Sequence, residues 1–281
     1  MLQAVIKKGK VLSEDVPAPI ATFGCVLIKV KNSSISAGTE IMGVKQSGTP
    51  LIKRALKEPE NVRKVFNSLK QNGILKTIET VTSKVDAGTA TGYSIAGEII
   101  GIGEGVENFT IGDRVAAAGA GIANHAEYVL VPKNLVISIP DKLSFEYAST
   151  VTLGGIAIQG VRRANLNIGE YAIVFGVGIL GLLTLQILKA SGVRVAAIDI
   201  DNQRLKLAKE FGAELTLNSL DSNNYTEILN WTNDFGVDAV LFTAATKSSE
   251  PLSESFKMTK KKGKVVLVGV SGLELKRDDL Y

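Results

Sequence analysis

The residues best suited to chemistry in this chain form a glycine run, Gly176-Val177-Gly178-Ile179-Leu180-Gly181, with Asp199 following Gly178 by 21 residues. The run comes after an apolar, β-branched stretch, Ala172 to Phe175, and leads into Leu182 to Leu188. The glycines therefore read as the turn between a strand and a helix. In that context a G-x-G-x-x-G with an acidic residue about 20 positions on is the fingerprint of a dinucleotide site. Gly176 permits a tight turn, Gly178 leaves room for a pyrophosphate near the backbone, and Gly181 lets helix and strand approach. The helix N-terminus offers oriented N–H groups and a positive dipole end to the phosphates. Asp199 would accept hydrogen bonds from the adenosine ribose hydroxyls and repel a 2′-phosphate, which favours NAD over NADP. Arg204 nearby argues the other way.

The rest of the inventory is sparse. The chain holds one cysteine, Cys25, and one histidine, His125. Protein zinc sites take three or four ligands, drawn mainly from these two residue types. A structural zinc lobe is excluded on that count and a catalytic zinc nearly so. Cys25 has no internal disulfide partner, which suits a reducing compartment such as the cytoplasm. It reads as a small packed residue. His125 is the one imidazole, a candidate general acid or base, with a surface or structural role as the alternative.

The elements that must position these residues follow from texture. The chain has 281 residues, 45% hydrophobic and 21% charged, as expected of a globular protein of about two domains. Lys and Arg number 32 against 28 Asp and Glu, a net +4 spread along the chain, so no nucleic-acid partner is expected. The N-terminus becomes charged at Lys7 and does not read as a signal peptide. Tyr171 to Leu188 is 18 residues without a charge, long enough for a membrane span on length alone. Its glycines break it into strand, turn and helix, and no membrane partner is expected.

Up to about residue 140, short alternating strands such as Cys25 to Lys31 are bounded by Gly, Pro, Asn and Asp, the texture of a small β-barrel or sandwich. Two helical patterns within residues 52–86 interrupt it as an insertion. From about residue 146, apolar runs without alternation (Val193 to Ile198, Val237 to Thr243, Lys264 to Val270) suit parallel strands covered on both faces. Gln203 to Phe211, Tyr225 to Thr232 and Ser249 to Lys261 would be crossover helices, with Lys260-Lys261-Lys262 a solvated helix end. The fold class is α/β, with a doubly wound parallel sheet in the second half.

Several further motifs occur in a telling order. They are Gly92-Tyr93-Ser94-Ile95-Ala96-Gly97-Glu98 followed by Gly101-Ile102-Gly103, then Gly112-Asp113-Arg114-Val115, Ala126-Glu127-Tyr128 before Pro132, and Val268-Gly269-Val270. Together with the glycine turn they resemble the medium-chain dehydrogenase/reductases, the zinc-type alcohol dehydrogenase-like superfamily, over essentially the whole chain. The resemblance implies a GroES-like β-barrel domain, residues 1–145, carrying substrate and catalysis with the insertion 52–86. A Rossmann domain, 146–281, would follow. It implies an oxidoreductase moving a hydride to or from a carbonyl, an alcohol or an activated alkene. Thr243 and Ala244, after one strand, and Val268, Gly269 and Val270, ending the next, would border the dinucleotide. Val268 and Val270 would hold its nicotinamide side.

The departures from that family bear on mechanism. Its Cys-x-Thr-Asp looks here like Ala37-Gly38-Thr39-Glu40, its Gly-His-Glu like Gly92-Tyr93-Ser94, and no cysteine stands near Val151 to Leu153, where the third ligand would fall. The resemblance thus implies a branch without zinc, in which hydrogen-bond donors stabilise the charge developing on oxygen. Thr39 and Tyr93 are the candidates, with packed hydroxyls filling the vacated site as the alternative, and His125 is the separate acid–base candidate. The insertion, lying between Thr39-Glu40 and Gly92-Tyr93, two expected loops, would act as a lid, a pocket wall or outer packing. The family continues past the Val-Gly-Val strand, so a chain ending at Tyr281 is expected to be the front part of something longer. Gly92-Tyr93-Ser94, the insertion and Asn124-His125-Ala126-Glu127 resemble two-domain oxidoreductases in which a zinc-lacking module precedes an NAD-dependent, glucose-fructose-oxidoreductase-like domain. Expected partners are a small-molecule substrate, a second copy in a homodimer, and a second oxidoreductase domain, fused or separate. Three alternatives stay open: an NAD(H)-binding module without catalysis of its own within a larger, sugar-modifying oxidoreductase, an NADPH-dependent quinone or enoyl reductase, and a zinc alcohol dehydrogenase after all.

Overall fold

The structure, a computed structural model, describes residues 1–49, 88–246 and 248–269 of the chain. It divides into two units, Met1–Thr152 and Leu153–Tyr281. The expected insertion at 52–86 and Val270 lie outside the described residues.

In the first unit, β1 (Leu2–Lys7) and β2 (Lys10–Asp15) form an antiparallel hairpin, and β4 (Thr89–Ala90) pairs with the other edge of β1. Lys8 and Gly9 turn the hairpin with positive φ at both residues, the twist that two-residue hairpins favour. A second, antiparallel sheet has the order β7-β3-β5-β6-β8. Its strands are β3 (Cys25–Ser33), β5 (Ser94–Ile102), β6 (Arg114–Ala118), β7 (Tyr128–Pro132) and β8 (Val136–Ser138). Alternate residues of these strands turn inward, so Val26, Ile28, Ile95, Ile99, Val115, Ala117, Val129 and Val131 make one buried core. The Gly112-Asp113-Arg114 motif fastens this sheet. Asp113 accepts the Thr110 N–H and hydroxyl, both at 2.8 Å, and these bonds hold its carboxyl below the usual range. Arg114 donates to the carbonyls of Pro140, Asp141 and Leu143 and lies over the Phe145 ring.

The structure corrects the sequence reading at residues 37–40, expected as a loop. They form the first turn of α1 (Ala37–Ser47). Glu40 explains the helix start, because its carboxylate reaches back to the Ser36 N–H at 2.9 Å, in the manner of a capping box. Two helices follow later in the chain, α2 (Phe145–Ala148), capped by the Ser144 hydroxyl, and α3 (Val151–Ala164).

The second unit is a parallel sheet of order β11-β10-β9-β12-β13. In chain order it runs β9 (Tyr171–Phe175), α4 (Ile179–Ala190), β10 (Arg194–Asp199), α5 (Asn202–Glu210), β11 (Leu215–Asn218), α6 (Asn224–Trp231), β12 (Val237–Phe242), α7 (Glu250–Met258) and β13 (Thr259–Leu267). The sheet buries both faces, which is why its strands lack alternation. Ala172, Val174, Val195 and Ala197 pack with α4 and α5 residues such as Leu185, Leu188 and Leu205. Ile173, Phe175, Ile198, Val240 and Phe242 pack on the other side with Ile228, Leu252 and Met258. The uncharged stretch from Tyr171 resolves into β9, a turn and α4. Among the described residues no helix is long and apolar enough to cross a membrane.

Lys260-Lys261-Lys262 does not end a helix. Helix α7 stops at Met258, and the lysines lie in β13 at a register irregularity, where Lys262 has φ of 68°. Lys260 forms an ion pair with Asp238, which anchors the segment as strand.

Candidate functional site

The glycine turn sits where β9 gives way to α4. Gly176 has φ of 93°, and a Cβ there would stand 2.6 Å from the Ala244 backbone. A side chain is excluded both by conformation and by space. Gly181, in the first turn of α4, is closer still, since its Cβ would meet the Gly176 carbonyl oxygen at 2.0 Å. Gly178 differs: nothing lies within 4 Å of where its Cβ would be. It is the N-cap of α4 and has no side-chain capping bond. The first N–H groups of the helix have no partner within it, an arrangement that suits an anion.

Asp199 does more than the sequence suggested. Its side chain is buried, with Oδ2 accepting the Val177 N–H at 2.7 Å and Oδ1 the Asp201 N–H at 3.0 Å. The carboxylate braces the turn it was expected to serve, and an ionised carboxylate still has acceptor capacity beyond two bonds. Asp201 caps α5 through the Gln203 and Arg204 N–H groups, and Arg204 leans back toward it, Nε to Oδ2 at 3.7 Å. Thr243 ties the next strand in, its hydroxyl donating to the Gly176 carbonyl at 2.5 Å. The N–H groups of Thr243 and Ala244 both reach the Phe175 carbonyl, and those of Val268 and Gly269 the Phe242 carbonyl. Val177 is fully buried, Ile179 exposed and Leu180 half-buried. The structure thus gathers the expected dinucleotide residues, except Val270, at the carboxyl ends of neighbouring parallel strands. Open space at Gly178 beside an uncapped helix start fits a diphosphate. An open groove lined by Asn202, Lys206, Lys209, Thr216 and Asn218 lies on the α5 and β11 side and shares none of these residues.

In the first unit, Thr39 lies in the opening turn of α1, one residue before Glu40. Tyr93 is half-buried between β4 and β5, and its phenol makes no hydrogen bond to the described residues. Ser94, beside it, is structural: fully buried, it donates to the Ser149 carbonyl at 2.5 Å. His125 is held from every side. Its N–H donates to the Thr91 carbonyl and its carbonyl accepts from the Ala4 N–H, each at 2.8 Å. Its ring Nδ1 lies 2.8 Å from Ser33 Oγ and its Nε2 3.2 Å from both oxygens of Glu40. The side chains of His125 and Glu40 are 13% and 15% exposed, so this is not a surface histidine. Gly92 makes the fit possible: with φ of 103°, its missing Cβ would lie 2.6 Å from the His125 backbone nitrogen. The neighbouring Asn124 is buried with Oδ1 unpartnered among the described residues.

Sequence reasoning missed Ser33 and the pairing of Glu40 with His125. The one available signal was an acidic residue four positions after Ser36 at a helix start. Among the described residues the donor set does not fit a three-ligand zinc. Cys25 begins β3 opposite Pro132, both His125 nitrogens are engaged, and among the described residues no three His, Cys, Asp or Glu side chains group as metal ligands.

The family model for the zinc-binding dehydrogenase domain matches residues 180–280, and that for the alcohol dehydrogenase GroES-like domain matches residues 67–141. The chain is 31% identical over 216 residues to (R,R)-butanediol dehydrogenase of Bacillus subtilis (strain 168), covering 67% of this chain and 61% of the relative. It is 29% identical over 214 residues to an alcohol dehydrogenase of Geobacillus stearothermophilus, covering 66% and 62%. It therefore spans about three fifths of the length of these curated relatives. The crystal structure of 2R,3R-butanediol dehydrogenase from Bacillus subtilis superposes with a TM-score of 0.75 at 25% identity, over 99% of this chain and 80% of that one.

Proposed function

The chain belongs to the medium-chain dehydrogenase/reductase superfamily, and on that premise we propose that it is an NAD(H)-dependent oxidoreductase module moving a hydride between the nicotinamide and a carbonyl, alcohol or activated alkene without catalytic zinc. The observation that carries this is the glycine turn braced by Asp199, with open space at Gly178 where a diphosphate passes. Gly176 to Gly181, Asp199, Thr243, Ala244, Val268, Gly269 and Val270 would hold the dinucleotide. When bound, it supplies the hydride donor or acceptor. The preference for NAD rests on the Asp199 carboxylate, while Arg204 is drawn to Asp201.

The reading without zinc is supported by the donor set of the described residues. Thr39 and Tyr93 would offer hydroxyls to the oxygen that gains charge, and His125 would manage its proton. The named relatives make 2,3-butanediol the first alcohol to try. One cysteine in 281 residues suits the cytoplasm. The test is a side-by-side fluorescence titration of the full chain with NADH and NADPH. Saturable binding with NADH preferred is expected. Tighter NADPH binding overturns the role given to Asp199, and no binding of either by the folded chain overturns the reading.

A further inference from the structure

We propose that Ser33, His125 and Glu40 form a proton relay in the first unit, in which Ser33 Oγ exchanges a proton with the substrate oxygen, His125 receives it, and Glu40 is the positioning residue. The inference rests on the oxidoreductase reading above and deepens it.

The direction of each bond follows from what each group can donate. An ionised carboxylate only accepts, so the His125 nitrogen facing both Glu40 oxygens, Nε2, carries the hydrogen. In the neutral ring Nδ1 is then a lone pair, and the 2.8 Å contact to Ser33 is the serine hydroxyl donating to it. A hydroxyl bonded to an imidazole whose far nitrogen is held by a carboxylate is the arrangement that moves protons off oxygen in unrelated enzymes. Here the two ring nitrogens have exchanged places.

Glu40 cannot swing away easily, since it also accepts the Ser36 N–H at 2.9 Å and the Thr91 hydroxyl at 3.4 Å. Both partners are largely shielded from water, which strengthens the attraction between an imidazolium and this carboxylate relative to a surface pair. Of the other charged groups close by in sequence, Glu127 is turned to the Leu2 N–H and Lys31, on β3, pairs with Glu98. Among the described residues, Glu40 is the charged group bonded to the imidazole.

The step balances. As an alcohol is oxidised, its C–H leaves as hydride to the oxidised nicotinamide and its O–H proton passes to Ser33 Oγ. The Ser33 proton passes to His125 Nδ1, and the substrate C–O bond becomes a carbonyl. The products are carbonyl, reduced nicotinamide and an imidazolium paired with Glu40. Reduction runs the same transfers backwards.

His125 is the chain's one histidine, so a long-range nitrogen–proton spectrum of the full chain labelled with ¹⁵N-histidine reports this ring alone. In the neutral ring the Nε2–H tautomer is expected. Glu40→Leu, which removes the acceptor, is expected to admit the Nδ1–H form, and Glu40→Gln, whose amide oxygen still accepts, to keep Nε2–H. A wild-type ring in the Nδ1–H form, or a tautomer indifferent to Glu40→Leu, overturns the relay.

A purely structural cluster is separated by turnover of 2,3-butanediol with NAD. Ser33→Ala is expected to lower kcat about 100-fold with KM little changed, as loss of a positioned proton-transfer group does. Ser33→Thr, which keeps the hydroxyl, is expected to recover most of it. Equal kcat in Ser33→Ala and wild type overturns the relay. NADH titration of the same samples separates the two readings: binding with the wrong tautomer sinks the relay alone, and the right tautomer without binding sinks the oxidoreductase reading.

Discussion

The two ends of the parallel sheet in the second unit are built from opposite materials. At the carboxyl ends of β9, β10, β12 and β13 stand glycines, a braced carboxylate and backbone N–H groups beside open space. At the amino ends the space is filled by charges and rings. Arg194 lies over the Tyr171 ring at 4.6 Å, bonds its hydroxyl, and shares Glu214 with Lys189. Tyr171 meets Trp231 edge to face at 4.8 Å, and Asp238 accepts the Tyr171 N–H at 2.8 Å while pairing with Lys260. Among the described residues, ring contacts and ion pairs gather at the amino end, and glycines at the carboxyl end. In open α/β sheets ligands gather at the carboxyl ends, and the contrast shows why. The chain can leave one end unfinished because the other holds the strands together.

The largest expected effect tests whether the unfinished end is also tightly built. Gly181→Ala places a methyl 2.0 Å from the Gly176 carbonyl oxygen, where neither helix nor turn can yield cheaply. Loss of about 3 kcal/mol or more is expected, seen as a lower Tm together with loss of NADH binding. Gly178→Ala is the counterpart that sharpens the comparison. Nothing stands within 4 Å of its new methyl, so Tm should hold while NADH affinity falls tenfold or more, about 1.4 kcal/mol. A Gly178→Ala protein that binds NADH as the wild type does would break the assignment of open space to the diphosphate.

The same contrast explains what could be read from the sequence. The glycine turn is contiguous, so the tight turn at Gly176 and the close approach at Gly181 follow from spacing, as does the parallel sheet from its unalternating strands. The GroES-like barrel was legible from the order of its motifs. What was not legible is assembled from distant pieces. Ser33 and His125 are 92 residues apart and Glu40 and His125 are 85 apart. No period or motif links them; the fold does, by bringing the end of β3, the start of α1 and the segment after Gly121 together. The Asp199 bond to Val177 was hidden for a related reason, because a carboxylate suited to a ribose is equally suited to a backbone N–H. Lys260 to Lys262 were misread because three charges resemble a helix end until a bulge and Asp238 put them in a strand.

The smallest effect belongs to the filled end, where the comparison predicts a change in stability without a change in binding. Burial acts to raise the Glu214 carboxyl, but the bonds from Arg194 and Lys189 together outweigh it and hold it below its ordinary value. A carboxyl lowered by folding contributes stability above the ordinary carboxylate range, and that contribution is lost as pH falls through the folded value. Glu214→Gln should therefore lower Tm at pH 7, and the gap from wild type should close as the medium is made acidic. These side chains are 29% and 43% exposed, so solvent screening limits the difference to about 1 kcal/mol or less. NADH affinity should stay the same at neutral pH, because no residue of this cluster belongs to the glycine turn. Were Glu214→Gln to weaken NADH binding as much as Gly178→Ala, the division of labour between the two ends would fail. The amino-end cluster would then be shaping the turn through the strands rather than only holding them in place.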